Sequence, residues 1–506
     1  MPPVAEYVLC GVIIALALAW LIFKNYRHHL TTALIAAMAI YATAGMYKYT
    51  FADITRSHAT QNLSDAKELS FQLMITMAEL LESKAKTPSG KQHLQERTDA
   101  SEKALEEDLA HVKSPSVETL LHRIVLKHSL KQDSAEQLDS LRQSKSADGP
   151  PLADAIAYAF GTGQISASQA ETILTTNMHS SWYRDQILEA LYTKSQQNEK
   201  FAHLKDDEAK KNLALAIKFV FVCVSYVLMY LAGIVVLTVL LVKAWRQRRL
   251  KQAPDNLSGS GTIEKQAQYS DRYIATLMLA YLTVRITLGI VMRDTGMDFY
   301  AARDHLFVVT LLLICLFTLV HGWPLACAYF TIIKPQNISF SDAIRLHLGT
   351  PSIRPLRMIV NGFLTYFAII PVVSVTVVIA MFMRQQPSSN PILGLETAAA
   401  QSGDLGAIIS LLFLTSILGP LIEELLIRGF LYGALRQRYS VNVCAFATGI
   451  YFAALHFDAN TFYSLMAIGV CLAYATERTK SIVPGYIAHC LWNGGVFTCI
   501  MLLRNY

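Results

Sequence analysis

The chain has 506 residues, of which 53% are hydrophobic and only 16% are charged. Soluble proteins carry about 25% charged residues, so the composition excludes an ordinary soluble protein and indicates a membrane protein. The net charge of +6 does not indicate a nucleic-acid partner, because the basic residues cluster beside apolar runs, as in the cytoplasmic loops of membrane proteins.

The chain begins with two apolar runs, 5–23 and 31–47. The first run is followed by Lys24 and Arg27 and lacks a small-residue cleavage site, which predicts a retained membrane helix and not a signal peptide that is removed. The second run is short and rich in alanine. We predict that residues 1–47 form two N-terminal membrane helices.

The next segment, 48–212, is rich in Lys, Glu, Asp, Gln and Ser. Ser168 precedes Glu171 by three residues, a capping-box pattern that predicts the start of a helix. No cluster of acids, bases or nucleophiles stands out, so we predict a helical domain that binds a protein partner or gates access of a substrate. Apolar residues recur at helical spacing in six stretches: 64–84, 95–112, 116–143, 152–160, 169–176 and 182–205.

The rest of the chain is dominated by membrane segments. The run 213–242 predicts a membrane helix, 243–272 predicts a flexible cytoplasmic linker, and 273–506 predicts a C-terminal membrane core. The fold class is therefore predicted to be all-α, a polytopic membrane bundle with an inserted soluble helical domain. About ten runs have membrane-spanning length: 5–23, 31–47, 213–242, 273–292, 306–333, 358–383, 407–435, 441–457, 462–476 and 482–503.

Two features of these runs leave alternatives open. The run 407–435 is too long for one perpendicular crossing, so either Pro420 divides it or the helix extends past the membrane surface. Lys and Arg favour the cytoplasmic side, which places 48–212 and the loops 293–305 and 384–406 on the outer face, provided that 31–47 crosses the membrane. The clusters that set this orientation are 24–29, 243–251, 334–357 and 436–438.

Two adjacent carboxylates, Glu423 and Glu424, stand in an otherwise apolar helix. An ionised acid at the bilayer centre costs roughly 2.5–3.5 kcal/mol on insertion scales, so each requires a partner or a function. Arg428 follows Glu424 by four residues and shares its helix face. The side chain of Glu423 points about 100° away from that of Glu424, so it is available for another function. Considered alone, these three charged residues are also consistent with the solvated cytoplasmic end of a helix.

Two later helices each add a polar face. His456 ends an apolar helix, with Phe452 one turn earlier on the same face. His489 and Asn493 are four residues apart on the last helix and project from one side. Each pattern alone is also typical of a structural polar residue, since polar side chains in membranes link neighbouring helices.

The ordered set of these patterns resembles the CPBP family, the CAAX protease and bacteriocin-processing proteins, which includes the type II CAAX prenyl endopeptidases. The likeness rests on Glu-Glu-x-x-x-Arg, then Phe-x-x-x-His, then His-x-x-x-Asn, and continues at Arg478-Thr479 and Ser481-Ile482. It covers roughly residues 406–503 and does not cover 1–260.

The resemblance implies hydrolysis of a peptide bond inside a membrane cavity. In family terms Glu423 matches the catalytic glutamate and, with His456, activates a water. Burial raises the pKa of a carboxylate, which suits a base that works near neutral pH. Glu424 and Arg428 are implied to orient that base and balance its charge.

The same resemblance implies that His489 and Asn493 donate hydrogen bonds to the oxyanion of the tetrahedral intermediate. The role of a metal stays open. The sequence has no His-Glu-x-x-His motif, but Glu423, His456 and His489 can also form a zinc site with one open position. The metal-free interpretation explains Asn493 better. No other cofactor is predicted.

The predicted function is an intramembrane endopeptidase acting on a membrane-associated protein or peptide. Nothing in the sequence favours prenylated substrates. The alternative is a non-catalytic membrane scaffold or immunity-type protein with the same fold. A transporter is disfavoured, because no inverted repeat is evident. We expect an integral, multi-pass protein, surrounded by membrane lipid, in a bacterial inner membrane.

Overall fold

The computed structural model describes residues 117–250, 305–348, 354–382 and 390–504, with short gaps, and scattered positions within 100–110 and 274–284. The described part is 86% helical and contains no strand, which confirms the all-α fold class. Its residues form two compact units that divide between Val224 and Ser225. The predicted spans 5–23 and 31–47 lie outside the described residues, as does nearly all of 273–292.

Between residues 117 and 194, the described part of the polar unit contains five short helices: α1 (Val117–Ser129), α2 (Ala135–Arg142), α3 (Gly149–Ala159), α4 (Ala167–Asn177) and α5 (Trp182–Lys194). The single stretch predicted at 116–143 is wrong, since α1 and α2 are separate. Lys131 adopts a left-handed backbone with φ 56° between them, which a right-handed helix does not accommodate. The third helix begins before the predicted stretch 152–160, because Gly149–Pro151 forms the first turn of α3, where proline is tolerated.

The start of α4 differs from the prediction by two residues. The capping residue is Ser166, whose hydroxyl accepts from the Gln169 backbone N–H, while the Gln169 side chain accepts from the Ser166 backbone N–H. Glutamine satisfies the capping box as well as glutamate does. Ser168 therefore lies in the first turn and is not the cap.

The core of the polar unit is formed by residues that α1 to α5 bury completely, including Leu141, Ile156, Leu174, Ile187 and Leu191. Segment 48–212 contains no cysteine. Apolar packing, and not disulfide bonding, therefore stabilises this helical unit.

One helix, α6, runs without interruption from Asn198 to Leu250. The sequence predicted two elements here, a stretch ending at 205 and a span at 213–242. Charged residues between them continue the helix, because they form ion pairs one turn apart: Lys205 with Glu208 and Lys210 with Asp206. Its 53 residues extend for roughly 80 Å at the α-helical rise.

Among the described residues, the second unit contains seven further helices of twelve or more residues: α7 (Leu306–Ala328), α8 (Pro355–Phe382), α9 (Pro391–Ser402), α10 (Leu405–Leu435), α11 (Val441–Ala454), α12 (Phe462–Thr479) and α13 (Val483–Arg504). Within the described residues, five helices are long and apolar enough to cross a membrane: α6, α7, α8, α10 and α13. The total of about ten spans is not confirmed. The apolar helix α11 is shorter than a full span.

Helix α10 is continuous, so of the two alternatives the one in which Pro420 divides it is wrong. A proline ring clashes with the carbonyl four residues earlier in a regular helix. Here the turn before it, Leu414–Leu418, is π-helical and wider. A second π-helical turn, Glu424–Leu431, follows. Such turns are rare and often occur at functional sites.

The loop predicted at 384–406 contains α9, a helix with a buried apolar face. Leu395, Ala398 and Ala399 pack with Leu411 of α10 and Phe497 of α13. Asn390 caps the first turn of this helix through its side chain, and Gly403 ends it with a left-handed backbone. This packing places α9 against the ends of two helices that carry the predicted site residues.

Candidate active site

The centre of the candidate site is an ion pair between Glu424 and Arg428 on α10. Nη1 of Arg428 donates to Oε1 of Glu424 at 2.8 Å, and both side chains are fully buried. Nη2 donates to the Gly469 carbonyl of α12 at 3.2 Å. The guanidinium lies over the Phe452 ring of α11, 4.7 Å from its centroid. Arg428 therefore contacts three helices. It also neutralises Glu424, as the spacing of four residues between them predicts.

Glu423 experiences a different environment from its neighbour. Its side chain keeps 18% of its exposure, whereas that of Glu424 keeps none. Adjacent residues of a helix point about 100° apart, so the two carboxylates face different surroundings. Of the two acids, Glu423 is the one that keeps exposed surface.

His489 of α13 lies between both carboxylates and is 3% exposed. Its Nδ1 is 3.2 Å from Oε1 of Glu424, and its Nε2 is 3.8 Å from Oε2 of Glu423. The first distance is a hydrogen bond; the second exceeds hydrogen-bond length. The imidazole is thus oriented by the buried acid, with its other nitrogen directed at the exposed one.

Helix α11 contributes an aromatic ring and the second histidine. The Phe452 ring meets the rings of His456 and His489 edge to face, at centroid distances of 4.8 and 5.5 Å. Nδ1 of His456 is 2.8 Å from the Phe452 carbonyl. Phe452 therefore links the two predicted histidines, and the backbone fixes the orientation of His456.

Asn493 lies one turn after His489 on α13. Its Nδ2 donates to the backbone carbonyl of Thr415 at 2.8 Å. Thr415 belongs to the first π-helical turn of α10, eight residues before Glu423. The Thr415 carbonyl therefore fixes the position of the Asn493 amide, the predicted donor to the oxyanion.

The donor set for zinc does not gather into a metal site. Within the described residues, no three His, Cys, Asp or Glu side chains are grouped closely enough to hold an ion. His489 Nδ1 already faces Glu424, and His456 joins the site through Phe452. Glu423, His456 and His489 are therefore not grouped as three ligands in this arrangement.

Several residues at the site were not predicted from the sequence. Gly469 supplies a carbonyl to Arg428, and Thr415 supplies one to Asn493. Gly485 leaves space for Glu424, since a Cβ there would lie 3.1 Å from its Oε2. Contacts made by backbone carbonyls, and the space left by a glycine, cannot be recognised from a pattern in the sequence. Glu396, a single acid in the apolar stretch 392–400 where the sequence predicts a loop, is also buried.

Comparison with known proteins bears on this arrangement. Residues 405–495 match the family described as "Type II CAAX prenyl endopeptidase Rce1-like". Residues 405–495 are therefore similar to this family. This confirms the predicted resemblance, and the matched segment contains all six predicted site residues: Glu423, Glu424, Arg428, His456, His489 and Asn493.

A curated relative points the same way. The chain is 30% identical over 103 residues to "Putative membrane peptidase YdiL" of Bacillus subtilis (strain 168). The match covers 20% of this chain and 41% of that protein, so the chain spans less than half the length of the relative. No solved structure matches the chain. At the family level, the Rce1-like segment is similar to membrane proteases.

Proposed function

We propose that this protein is an intramembrane endopeptidase that cleaves a peptide bond of a membrane-associated protein or peptide with water activated by glutamate and histidine. The observation that supports this proposal is that two adjacent acids differ in burial and in their partners. Glu424 is fully buried against Arg428, while Glu423 keeps a partly exposed carboxylate whose Oε2 is 3.8 Å from Nε2 of His489. Ionisable groups in membrane segments are costly and usually functional.

Glu423 is the proposed general base. A water that bridges its Oε2 and the Nε2 of His489 spans a gap of 3.8 Å, which is too long for a direct hydrogen bond and suits a bridged contact. The base takes a proton as the water oxygen attacks the scissile carbonyl, and the proton is then delivered to the leaving amine. His456 contacts the Phe452 ring, which also contacts His489, and in this proposal it assists the reaction from that side of the ring.

Asn493 is the proposed donor to the oxyanion. An amide NH₂ carries two N–H donors, of which one is held by the Thr415 carbonyl. The second N–H is left to stabilise the negative oxygen that develops during attack. A donor held in place before the reaction costs no reorganisation when charge appears.

The decisive experiment compares membrane proteomes of cells that express the native protein and its Glu423→Gln form. Glutamine keeps the shape of the side chain but removes the base. We expect fragments of specific membrane-associated proteins with the native protein and their loss, by 10²-fold or more, with the variant. The matched control is Glu199→Gln, which changes an exposed acid in the first turn of α6 and should leave the fragments unchanged.

Equal fragment patterns at equal expression of the native and Glu423→Gln forms would favour the non-catalytic scaffold. The fragments themselves identify the substrate and show whether it is prenylated. In this proposal the protein works in a bacterial inner membrane, and the polar unit contributes recognition of a protein partner.

Metal dependence is tested on the same fragments. Because Glu423, His456 and His489 do not form a three-ligand group, we expect cleavage by purified protein in lipid vesicles to persist in a strong chelator. Cleavage that stops with the chelator and returns with added Zn²⁺ would overturn the metal-free mechanism and leave the protease assignment intact.

A further inference from the structure

Ser416 of α10 carries a buried hydroxyl that the reaction described above does not use. The residue is 5% exposed, and its Oγ has no hydrogen-bond partner among the described residues. Thr310 of α7, by comparison, is also buried, and its hydroxyl donates to the Leu306 carbonyl one turn earlier at 2.7 Å. A buried polar group without a partner costs free energy. Few native groups are left in this state, and a role in catalysis is one of the reasons.

Ser416 lies where α10 meets α13, beside the proposed oxyanion donor. It belongs to the π-helical turn Leu414–Leu418 and directly follows Thr415, whose carbonyl accepts from Asn493 at 2.8 Å. Gly494, the residue after Asn493, lies opposite Ser416. A Cβ at Gly494 would be 3.8 Å from both the Cβ and the Oγ of Ser416. The Ser416 hydroxyl and the Asn493 amide therefore lie at the same level of the contact between the two helices.

The proposed base lies along the same contact. Glu423 is on α10, seven residues after Ser416, and its Oε2 is 3.8 Å from Nε2 of His489 on α13. Glu423, Asn493 and Ser416 are thus all placed between α10 and α13, where the scissile carbonyl enters in the proposed reaction.

We propose that Ser416 is a second catalytic donor to the oxyanion: its Oγ–H donates a hydrogen bond to the oxygen of the scissile carbonyl, next to that of Asn493. This inference rests on the proposed function. The serine keeps its proton and forms no covalent bond. The hydrogen bond becomes stronger as the carbonyl oxygen gains negative charge, and no acceptor among the described residues competes for the hydroxyl proton before the reaction.

Gly494 determines how a substrate reaches this hydroxyl. The Ser416 Oγ is buried with Gly494 of α13 opposite it, so in this proposal a carbonyl enters when the two helices separate locally. The separation needed is small at this position, because a glycine has no side chain to displace.

The first test is Ser416→Ala. Purified protein in lipid vesicles is given a peptide that spans the cleavage site identified from the fragments. We expect kcat and kcat/KM to fall equally, by about 10²-fold, because the hydrogen bond is made in the transition state. The midpoint of thermal unfolding should not fall, because the hydroxyl that is removed has no partner among the described residues. An unchanged kcat, a rise in KM alone, or an unfolding midpoint that falls together with the activity would overturn the proposal.

The second test, Gly494→Ala, keeps the hydroxyl and covers it. The added Cβ meets Ser416 at 3.8 Å, an ordinary van der Waals distance, and alanine favours a helix more than glycine does, so the unfolding midpoint should rise. Cleavage should nevertheless fall about tenfold or more, because the methyl group occupies the space in front of the hydroxyl. The double variant Ser416→Ala/Gly494→Ala should cleave as slowly as Ser416→Ala alone. Losses that multiply would show that the two positions act independently, and the proposal would be wrong.

Each variant has a matched control in the membrane unit. Ser410→Ala removes a hydroxyl from the same helix at a residue that is 8% exposed, and Gly322→Ala adds a Cβ with no described heavy atom within 4 Å. Both should cleave at the native rate. If Ser410→Ala loses as much activity as Ser416→Ala, the effect comes from the packing of α10 and not from a donor at Ser416.

The comparison with Glu423→Gln separates this inference from the proposed function. If the native protein cleaves, Glu423→Gln does not, and Ser416→Ala cleaves at the native rate, the role of Ser416 is refuted and the protease proposal stands. If the native protein and Glu423→Gln give the same fragments, the protease proposal fails and the role of Ser416 fails with it.

Discussion

Glu423 and Glu424 are adjacent in the chain, yet their surroundings are opposite. Glu424 Oε1 accepts from Arg428 and faces His489, while its Oε2 has no hydrogen-bond partner among the described residues. Glu423 retains partial exposure. A buried ion pair stabilises little by itself, but it leaves a costly charge behind when one partner is removed.

Arg428 is therefore predicted to be more important for stability than its single ion pair suggests. Arg428→Met should lower the free energy of unfolding by about 3–5 kcal/mol, because Glu424 is left as an uncompensated buried charge. The double variant Glu424→Gln/Arg428→Met should lose less than Arg428→Met alone. Reversible unfolding in mixed micelles measures both.

The control for this prediction is Arg436→Met, which breaks a pair with Glu477 that retains 25% and 16% exposure. A partly exposed pair contributes about 0–1 kcal/mol. If Arg428→Met and Arg436→Met cost the same, the burial of the Glu424–Arg428 pair is not the reason for its effect.

Gly485 offers a second test at the level of one residue. A Cβ at this position would lie 3.1 Å from Glu424 Oε2, so Gly485→Ala should displace the carboxylate that orients His489 and lower fragment yield. Gly322→Ala on α7 is the control, because no described heavy atom lies within 4 Å of the Cβ that it adds. Full cleavage by Gly485→Ala would show that the position of Glu424 is not needed.

At the level of elements, the site depends on how α10 is wound. Two π-helical turns, Leu414–Leu418 and Glu424–Leu431, flank Pro420, and they include Thr415, Glu424 and Arg428. Wider turns change which residues share a face, so ideal helical spacing alone does not place these side chains.

The neighbouring helices α11 and α12 approach so closely at Gly449 and Gly469 that an added Cβ at Gly469 would lie 2.8 Å from the Gly449 Cα. This close approach brings the Gly469 carbonyl to Arg428.

The corrected start of α4 yields a prediction for the polar unit. Ser166→Ala removes the side-chain cap and should cost about 1 kcal/mol, which increases the hydrogen exchange of Ala167–Asn177 about fivefold. Ser168→Ala should change it little. Mass spectrometry of the exchanged full chain measures both variants. A larger effect from Ser168→Ala than from Ser166→Ala would show that Ser168 is the capping residue, as the sequence predicts.

At the level of the whole molecule, composition separates a polar helical unit from an apolar membrane unit, and charged loops predict the orientation of the chain. We predict that 48–212 faces the outside of the cell. Added protease should cleave within this segment in spheroplasts and should not reach it in sealed inside-out vesicles. Cleavage only in the inside-out vesicles would reverse the orientation and show that 31–47 does not cross the membrane.

The sequence by itself determined the helical class, the membrane character of the C-terminal segment and the pairing of Glu424 with Arg428, because these depend on composition and on contacts within one turn. Tertiary structure decided which carboxylate stays exposed, that His489 lies between both acids, and that Asn493 is held by the Thr415 carbonyl. It also revealed Glu396 on a buried helix where a loop was predicted. These features depend on backbone atoms, on glycines that allow close approach, and on wide helical turns, none of which has a periodic pattern in the sequence.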